Sequence, residues 1–426
     1  MSKTFCKIPF TVMATFNDDT YHHCCDAIPS DVDPANFTPF SIHDEHNQPF
    51  SIQRHSFIQV WNSEFYKKLR LDMTSGIQNH SCNHCWRQED LGLYSHRLKE
   101  NKDVVIDREI KHMNADGSMS VGPKYLEIRT GNFCNLKCIM CHPANSTEIV
   151  KEVKLWRQML VEIPRHVDMP DETLNQLDRS FDGNRIADGL GGILDDVEEI
   201  QFYGGEPLAT HEVVLFLDHL IMLGKAGNLK IKMISNLSIS NQKIFDRLDQ
   251  FKEVEIIASW DHVDPVKSHF IRYPLDHAQY LKNFERMLNH PTYHLKISPT
   301  ISVFNIYDVP AIFDHFESVN NQTEKYVHIT ANILQIPNYF SLPYLKQDQK
   351  NIINSMLSEY INKNKSYKIF QEGNSSCYNF LSSLKNFINQ QPIDYNEVVS
   401  ERTRVLELYD QTRSTDSKQL FPYLYE

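Results

Sequence analysis

Residues 124–146 read KYLEIRTGNFCNLKCIMCHPANS, and the order of residue types in this stretch decides the fold. A short β-prone run, Lys124–Arg129, is followed at once by Cys134, Cys138 and Cys141, spaced by three and then two residues in a loop that opens a helix. The helix is legible from Ile149, Val150, Val153, Trp156 and Leu160, which recur as one helical face. Soft thiolates select iron–sulfur clusters, zinc or copper(I). Three ligands do not close a structural tetrahedral zinc site, and no fourth cysteine or suitably spaced histidine pair lies close by in sequence. His142 adjoins Cys141 and is expected to point elsewhere. A cubane cluster on three thiolates keeps one iron open for an outside ligand.

Outward from this stretch, short β-rich runs alternate with helical ones. The strand candidates are Lys124–Arg129, Val197–Tyr203, Leu229–Ile234, Val254–Ala258, Leu295–Val303 and His328–Leu334. Such alternation implies an α/β fold with a parallel sheet, either doubly wound or a full or partial barrel. Six strands are too few for a closed eight-stranded barrel. Met169 to Asp196 reads as an acidic insertion after the first helix. From about Pro343 the chain is helical, with one stripe of Ile352, Ile353, Met356, Leu357, Tyr360 and Ile361 and another of Phe380, Leu381, Leu384, Phe387 and Ile388, both taken as packing faces. The charged, turn-rich stretch before Lys124 reads as a linker. The expected domains are a cysteine-rich one over 1–95, a linker over 96–122, the α/β domain over 123–340 and a helical region over 341–426.

Composition narrows the classes. A chain of 426 residues exceeds one ordinary core, so two or three domains are expected. Lys and Arg total 43 against 55 Asp and Glu, and this balance, with no basic block, argues against binding nucleic-acid phosphates. No apolar run approaches a membrane span; the best, Val213–Leu223, is broken by Asp218 and His219. No secretory signal pattern opens the sequence, so a cytoplasmic location is expected. In that setting the nine cysteines read as metal ligands or reactive thiols rather than disulfides.

Further motifs sit at the ends of the later strands. The second ends in QFYGGEPL, placing Gly204, Gly205, Glu206 and Pro207 at the sheet edge where α/β folds bind ligands. Glycines there let the backbone approach a ligand, and a carboxylate can pair with an ammonium group. Read alone, the same four residues are an ordinary strand-ending turn. The third strand ends in ISNLS with Asn236, the fourth in ASWDH with Ser259 and Asp261, and FIRYP follows with Arg272, a residue able to grip a carboxylate by two bonds.

The trio and the motifs that follow it resemble the radical S-adenosylmethionine superfamily. The resemblance implies a partial (β/α)6 barrel of TIM type and a [4Fe–4S] cluster on Cys134, Cys138 and Cys141. Its open iron would bind the amino and carboxylate groups of S-adenosylmethionine, which is cleaved to a 5′-deoxyadenosyl radical that abstracts a substrate hydrogen. It further implies that Met140 packs on the adenine, where an aromatic residue is commoner, and that Gly204, Gly205, Glu206 and Pro207 receive the methionine end. Asn236, Ser259, Asp261 and Arg272 are the remaining cofactor contacts implied, with His262 standing where a glycine is usual. No catalytic acid or base is identified.

The first 90 residues carry FCKIPF, NDDTYHHCC, VWNSEFYKKLR and CNHCWRQED. This pattern resembles the SPASM or shortened Twitch module, which implies that Cys6, Cys24, Cys82 and Cys85 hold an auxiliary [4Fe–4S] cluster. Asp19 stands where that module often has glycine, and the module here precedes the barrel instead of following it. Four cysteines ending in C-x2-C are also a zinc pattern. Cys25 is expected as a spare buried thiol or an alternate to Cys24, and Cys377 as a core residue. The function expected is a radical enzyme that oxidatively modifies a peptide or small metabolite, reduced by a partner such as flavodoxin or ferredoxin. The alternatives are a redox-neutral isomerase or epimerase of a sugar or nucleotide, and a non-catalytic zinc-binding interaction protein.

Overall fold

Every run read as a strand forms one. β3 (Tyr125–Arg129), β4 (Glu199–Tyr203), β5 (Lys230–Ser235) and β6 (Glu253–Ala258) answer the first four expectations. The fifth run divides into β7 (Tyr293–Ile297) and β8 (Thr300–Ile301), and the sixth into β9 (His328–Ile329) and β10 (Asn332–Ile333). Two strands precede them, β1 (Val12–Thr15) and β2 (Tyr21–His22). The structure is a computed structural model and describes residues 3–17, 19–27, 41–90, 92, 94–102, 104–177, 182–371 and 375–426, so part of the acidic insertion lies outside the described residues.

The sheet order is β2-β1-β3-β4-β5-β6-β7-β9, while β8 and β10 form a separate parallel pair. β3, β4 and β5 are parallel, with Tyr125 opposite Glu199 and Glu199 opposite Lys230, and β7 and β9 are parallel to each other. Helices Thr147–Gln158, His211–Met222, Gln242–Leu248, His277–Asn289 and Val309–Gln322 fall between the successive strands. This is an α/β fold with six strand–helix repeats, as a partial (β/α)6 barrel has. β1 adds to it in parallel beside β3, Val12 facing Tyr125 and Ala14 facing Glu127, and β2 closes that edge antiparallel. All four β1 residues are buried.

The chain divides into two compact units. The first is Met1–Cys134 with Asp171–Ser235 and Asn241–Glu255; the second is Asn135–Pro170 with Asn236–Ser240 and Ile256–Glu426. In the first unit, period-two alternation gives each strand two unlike faces. Leu126, Ile128, Ile200, Phe202, Ile231 and Met233 are buried, whereas Glu127, Glu199, Gln201, Lys230 and Lys232 share the opposite, polar face. Lys230 reaches Glu253 at 2.9 Å, and Lys232 lies 3.5 Å from both Glu199 and Glu255. Parallel sheets as a rule bury apolar residues on both faces, so the charged second face here departs from that pattern.

In the second unit, helices Gln347–Lys363, Ser375–Ile388 and Tyr395–Arg413 make up most of the region beyond residue 341. The first stripe is narrower than its sequence suggests. Ile353, Leu357 and Tyr360 are buried, but Ile352 is 58 % exposed, because adjacent helical residues point about 100° apart. Cys377 is buried near the Ile329 carbonyl oxygen, as a core residue should be. Among the described residues no helix is long and apolar enough to cross a membrane.

Candidate metal centres

Four of the cysteines in the first 90 residues meet around one cavity. Cys6, Cys24, Cys82 and Cys85 all line one small cavity, with His23, Met73 and Arg97. Local structure brings each thiol there. Cys6 immediately precedes the helical turn Ile8–Thr11, and Cys24 follows β2. Asn79 caps the turn His80–Cys82 by accepting from the Ser81 N–H at 3.0 Å, and the helix Asn83–Asp90 then carries Cys85 three residues on from Cys82. Arg97 fastens the wall: its guanidinium donates to the Phe5 carbonyl at 2.9 Å, pairs with Glu89 and lies 4.7 Å from the Trp86 ring centre. The stretch read as a linker thus carries the helix His96–Glu100 and a buried arginine that supports the cavity.

Burial pushes the Cys6 thiol well up, with Cys82 and Cys85 adding to it, and it pushes Cys82 up to about 12 and Cys85 to about 11. Cys82 and Cys85 raise Cys6, and Cys85 raises Cys82, so a cation among these thiols would favour their ionised form; among the described residues no three of the four have sulfurs grouped within 4.8 Å.

Cys25 faces a different neighbourhood. Its sulfur lies 3.8 Å from His96 Nε2, and it is not among the residues lining the cavity. A hydrogen bond with Cys24 holds the Cys25 thiol well below its ordinary range; burial opposes this, and His96 and Glu127 assist it. Burial works against the His96 imidazolium, yet Cys25 and Asp26 outweigh it and raise His96 to about 9. Behind this pair, Tyr203 on β4 donates to Glu127 on β3 at 3.2 Å. Donor atoms of Cys24, Cys25 and His96 lie within 4.8 Å of one another, close enough for a metal ion.

Asp19 adopts φ +69°, the left-handed conformation that glycine favours. Its carboxylate accepts from the Ser51 hydroxyl at 2.6 Å, so the hairpin turn typical of a glycine is kept with an aspartate in it.

The loop after β3 is divided between the units, Cys134 ending a segment of the first and Cys138 and Cys141 lying in the second. In the first unit the GGEP backbone is joined to this loop. The Gly205 N–H donates to Gly131 O at 2.9 Å and the Glu206 N–H to Phe133 O at 2.8 Å, the residue before Cys134. A Cβ on Gly205 would stand 2.2 Å from Phe133 O, so no other residue permits this approach. Pro207 starts a short helical turn, and Glu206, 1 % exposed, caps it: its Oε1 accepts from the Leu208 N–H at 3.0 Å and the Ser235 hydroxyl at 2.7 Å. The carboxylate is fixed in orientation before any ligand arrives.

In the second unit the loop runs beside residues 271–273. Lys137 N–H donates to Tyr273 O at 2.7 Å and Ile139 N–H to Ile271 O at 3.0 Å, which sets Cys138 next to Arg272. The Arg272 guanidinium lies 3.9 Å from the Cys138 sulfur and 2.8 Å from Asp261. Asp261 in turn accepts from the Thr300 N–H at 2.8 Å. Burial pushes the Cys138 thiol up, Asp261 adds to that, and Arg272 and Arg413 pull it down. Asn236 donates to Asn135 at 3.2 Å, while Met140 and Ser259 are half-buried. His142 is occupied as expected: its Nδ1 accepts from the Ala144 N–H at 3.2 Å, and burial lowers its pKa to about 4.

Two residues beneath this loop were not found by sequence reasoning. Glu152, buried on the helix Thr147–Gln158, pairs with Lys137 at 2.8 Å and with the buried Arg413 at 2.5 Å. Arg413 comes from 261 residues further along the chain, and no local signal marks it.

No protein-family model matches the sequence, and no curated protein matches it. Solved structures are similar at low identity. SuiB of Streptococcus suis, bound to S-adenosylmethionine, aligns at 14 % identity over 71 % of this chain and 62 % of its own, with a TM-score of 0.35. The structure called native anSMEcpe, with bound AdoMet and a Cp18Cys peptide, aligns at 17 % identity over 59 % of this chain and 62 % of its own, TM-score 0.35. TYW1 with a lysine–pyruvate adduct aligns at 13 % over 59 % and 76 %, TM-score 0.28. This chain thus spans less than two thirds of the first two, and likeness at this level leaves function to rest on the chain's own residues.

Proposed function

We propose that the chain is a radical S-adenosylmethionine enzyme with two iron–sulfur clusters, acting oxidatively on a peptide or a small metabolite. The observation that carries this reading is the hydrogen-bonded junction of Gly205 and Glu206 with Gly131 and Phe133, directly before Cys134. It sets a buried, pre-oriented carboxylate and half-buried glycine backbone against the start of a three-thiol loop. In this reading Cys134, Cys138 and Cys141 hold the first [4Fe–4S] cluster and Cys6, Cys24, Cys82 and Cys85 the second.

When bound, the first cluster supplies the electron that splits S-adenosylmethionine and so makes the radical that takes a hydrogen from the substrate. The chain's own groups bind and orient. Glu206 is held by Leu208 and Ser235 to receive the cofactor's ammonium group, with Gly204, Gly205 and Pro207 shaping the approach. Met140 offers a polarisable surface for the adenine, and Asn236 and Ser259 line the strand ends for the rest of the cofactor. Arg272, tied to Asp261, places a fixed positive charge beside Cys138 that favours its thiolate form. A low-potential carrier such as flavodoxin or ferredoxin is the reductant.

Anaerobic reconstitution tests the reading. Reduced protein supplied with S-adenosylmethionine should release 5′-deoxyadenosine, and Cys134→Ala should abolish the release. Equal release from both proteins would overturn the assignment. A zinc-binding interaction protein is favoured by one observation, the 4.8 Å grouping of Cys24, Cys25 and His96. It predicts zinc in place of iron on elemental analysis and no visible cluster absorbance.

A further inference from the structure

A second cavity, of about 240 Å³, opens in the first unit at the ends of β1 and β3. Phe16, the residue after β1, and Arg129, the last of β3, line it with Gly131, and Asp19, Asp182 and Arg185 complete its polar wall. This is the carboxyl edge of parallel strands, where α/β folds place their ligands. It also adjoins the GGEP turn: Gly131 accepts from the Gly205 N–H, and a Cβ on Gly204 would stand 2.8 Å from Gly131 O.

Arg129 is built for recognition. Its guanidinium carbon lies 4.0 Å from the Phe16 ring centre and 4.6 Å from that of Tyr203. Two aromatic rings on the guanidinium hold its plane still, and a planar guanidinium held in place is the group that grips a carboxylate by parallel bonds. Arg185 is the second cation of the wall and makes no ion pair with a carboxylate among the described residues. The acids opposite are partly engaged in holding the backbone: Asp19 accepts from Ser51, and Asp182 accepts from the Arg185 N–H at 3.0 Å.

We infer that this cavity binds the substrate by a carboxylate, that of a free amino acid or of a peptide terminus, with Arg129 as the principal anchor and Arg185 as the second. The inference deepens the reading above, since it places the substrate beside the turn proposed to hold the cofactor. Neither Arg129 nor Arg185 is offered as a catalytic residue. Both position.

The test is a binding experiment on the reconstituted full chain with no S-adenosylmethionine present. A mixed N-acetylated hexapeptide pool is prepared with free carboxyl ends and again with amidated ends, and retention is measured by equilibrium dialysis and mass spectrometry. The free-acid pool should be retained about tenfold more than the amide, as a hydrogen-bonded charge pair supports. Arg129→Lys keeps the charge but loses the planar fork, and Arg185→Gln lies on an exposed residue; loss of the preference in either variant, with iron content and melting temperature unchanged, supports the assignment. Competition by mixed free amino acids separates the two sources: displacement identifies an amino acid, and persistence a peptide end. Equal retention of the two pools by the unaltered protein, or no retention of either, overturns the inference, as does a preference that survives in both variants. Because the readout needs no cofactor cleavage, a chain that fails to make 5′-deoxyadenosine and still prefers the free acid would break the proposed function while leaving this site intact.

Discussion

The two groups of cysteines solve opposite problems. In the cavity of the first unit, four thiols line one space; burial raises Cys6, Cys82 and Cys85, a bond with Cys25 raises Cys24, and Arg97 is engaged in holding the wall. The loop after β3 offers only three, and cations crowd one of them: Arg272 stands 3.9 Å from Cys138 and Arg413 acts on it as well. A complete donor set leaves a metal nothing to do with a ligand from outside. A set of three leaves a position open to receive one. Burial lifts Cys138 as it lifts Cys6, Cys82 and Cys85, so burial does not separate these thiols; donor number and neighbouring charge do.

This contrast can be broken at several strengths. The largest effect is expected from Cys138→Ala or Cys141→Ala, which should lower 5′-deoxyadenosine formation by about a hundredfold or more, the size seen when a reaction loses a central group. Iron should fall by about four atoms per chain while the other cluster stays. If the four-thiol cavity were the reactive one, Cys82→Ala would show that loss instead. A sharper division is expected within the adjacent pair. Cys24→Ser should remove about four irons and Cys25→Ser none, because only Cys24 lines the cavity; the reverse pattern in iron and absorbance would exchange their roles.

Next in size is the cation beneath the three-thiol loop. Arg413→Met leaves the buried Glu152 carboxylate with Lys137 as its remaining ion-pair partner and should cost about 3 kcal/mol in denaturant unfolding, whereas Arg413→Met with Glu152→Met should recover part of that loss. Additive losses would show that the two residues act separately. The smallest effect is expected at Asp19→Gly. Relief of the left-handed strain and loss of the Ser51 bond are each worth about 1 kcal/mol and oppose one another, so stability should move by less than about 1 kcal/mol, with iron unchanged.

Much of this was legible in the sequence because its signals are local. The spacing of Cys134, Cys138 and Cys141, each single strand and the GGEP turn occupy fewer than ten residues apiece, and the strands fall where alternation puts them. Asp19 was marked as an oddity by pattern alone, and its backbone angle supplies the physical reason. What could not be read is long-range. Val12–Thr15 carries no sign that it pairs with residues 125–127, since a buried four-residue strand looks like any apolar run. Glu152 and Arg413 are ordinary charges on ordinary helices until packing brings them together. Arg129 looked like the polar end of a strand, and its aromatic clamp needs Phe16 and Tyr203 from two other segments.

The place of β1 beside β3 has a consequence for how the protein is made. Cys6 lies six residues before β1 and Cys24 two after β2, and that edge of the sheet has no support until Tyr125–Arg129 exists. A ribosome adding about 5–20 residues per second therefore exposes these thiols for several seconds before the strand that anchors them emerges. Closing so long a loop costs chain entropy that later contacts must offset. Any metal held in the first cavity would therefore load late in synthesis, and in air these early, unshielded sulfurs would be open to oxidation.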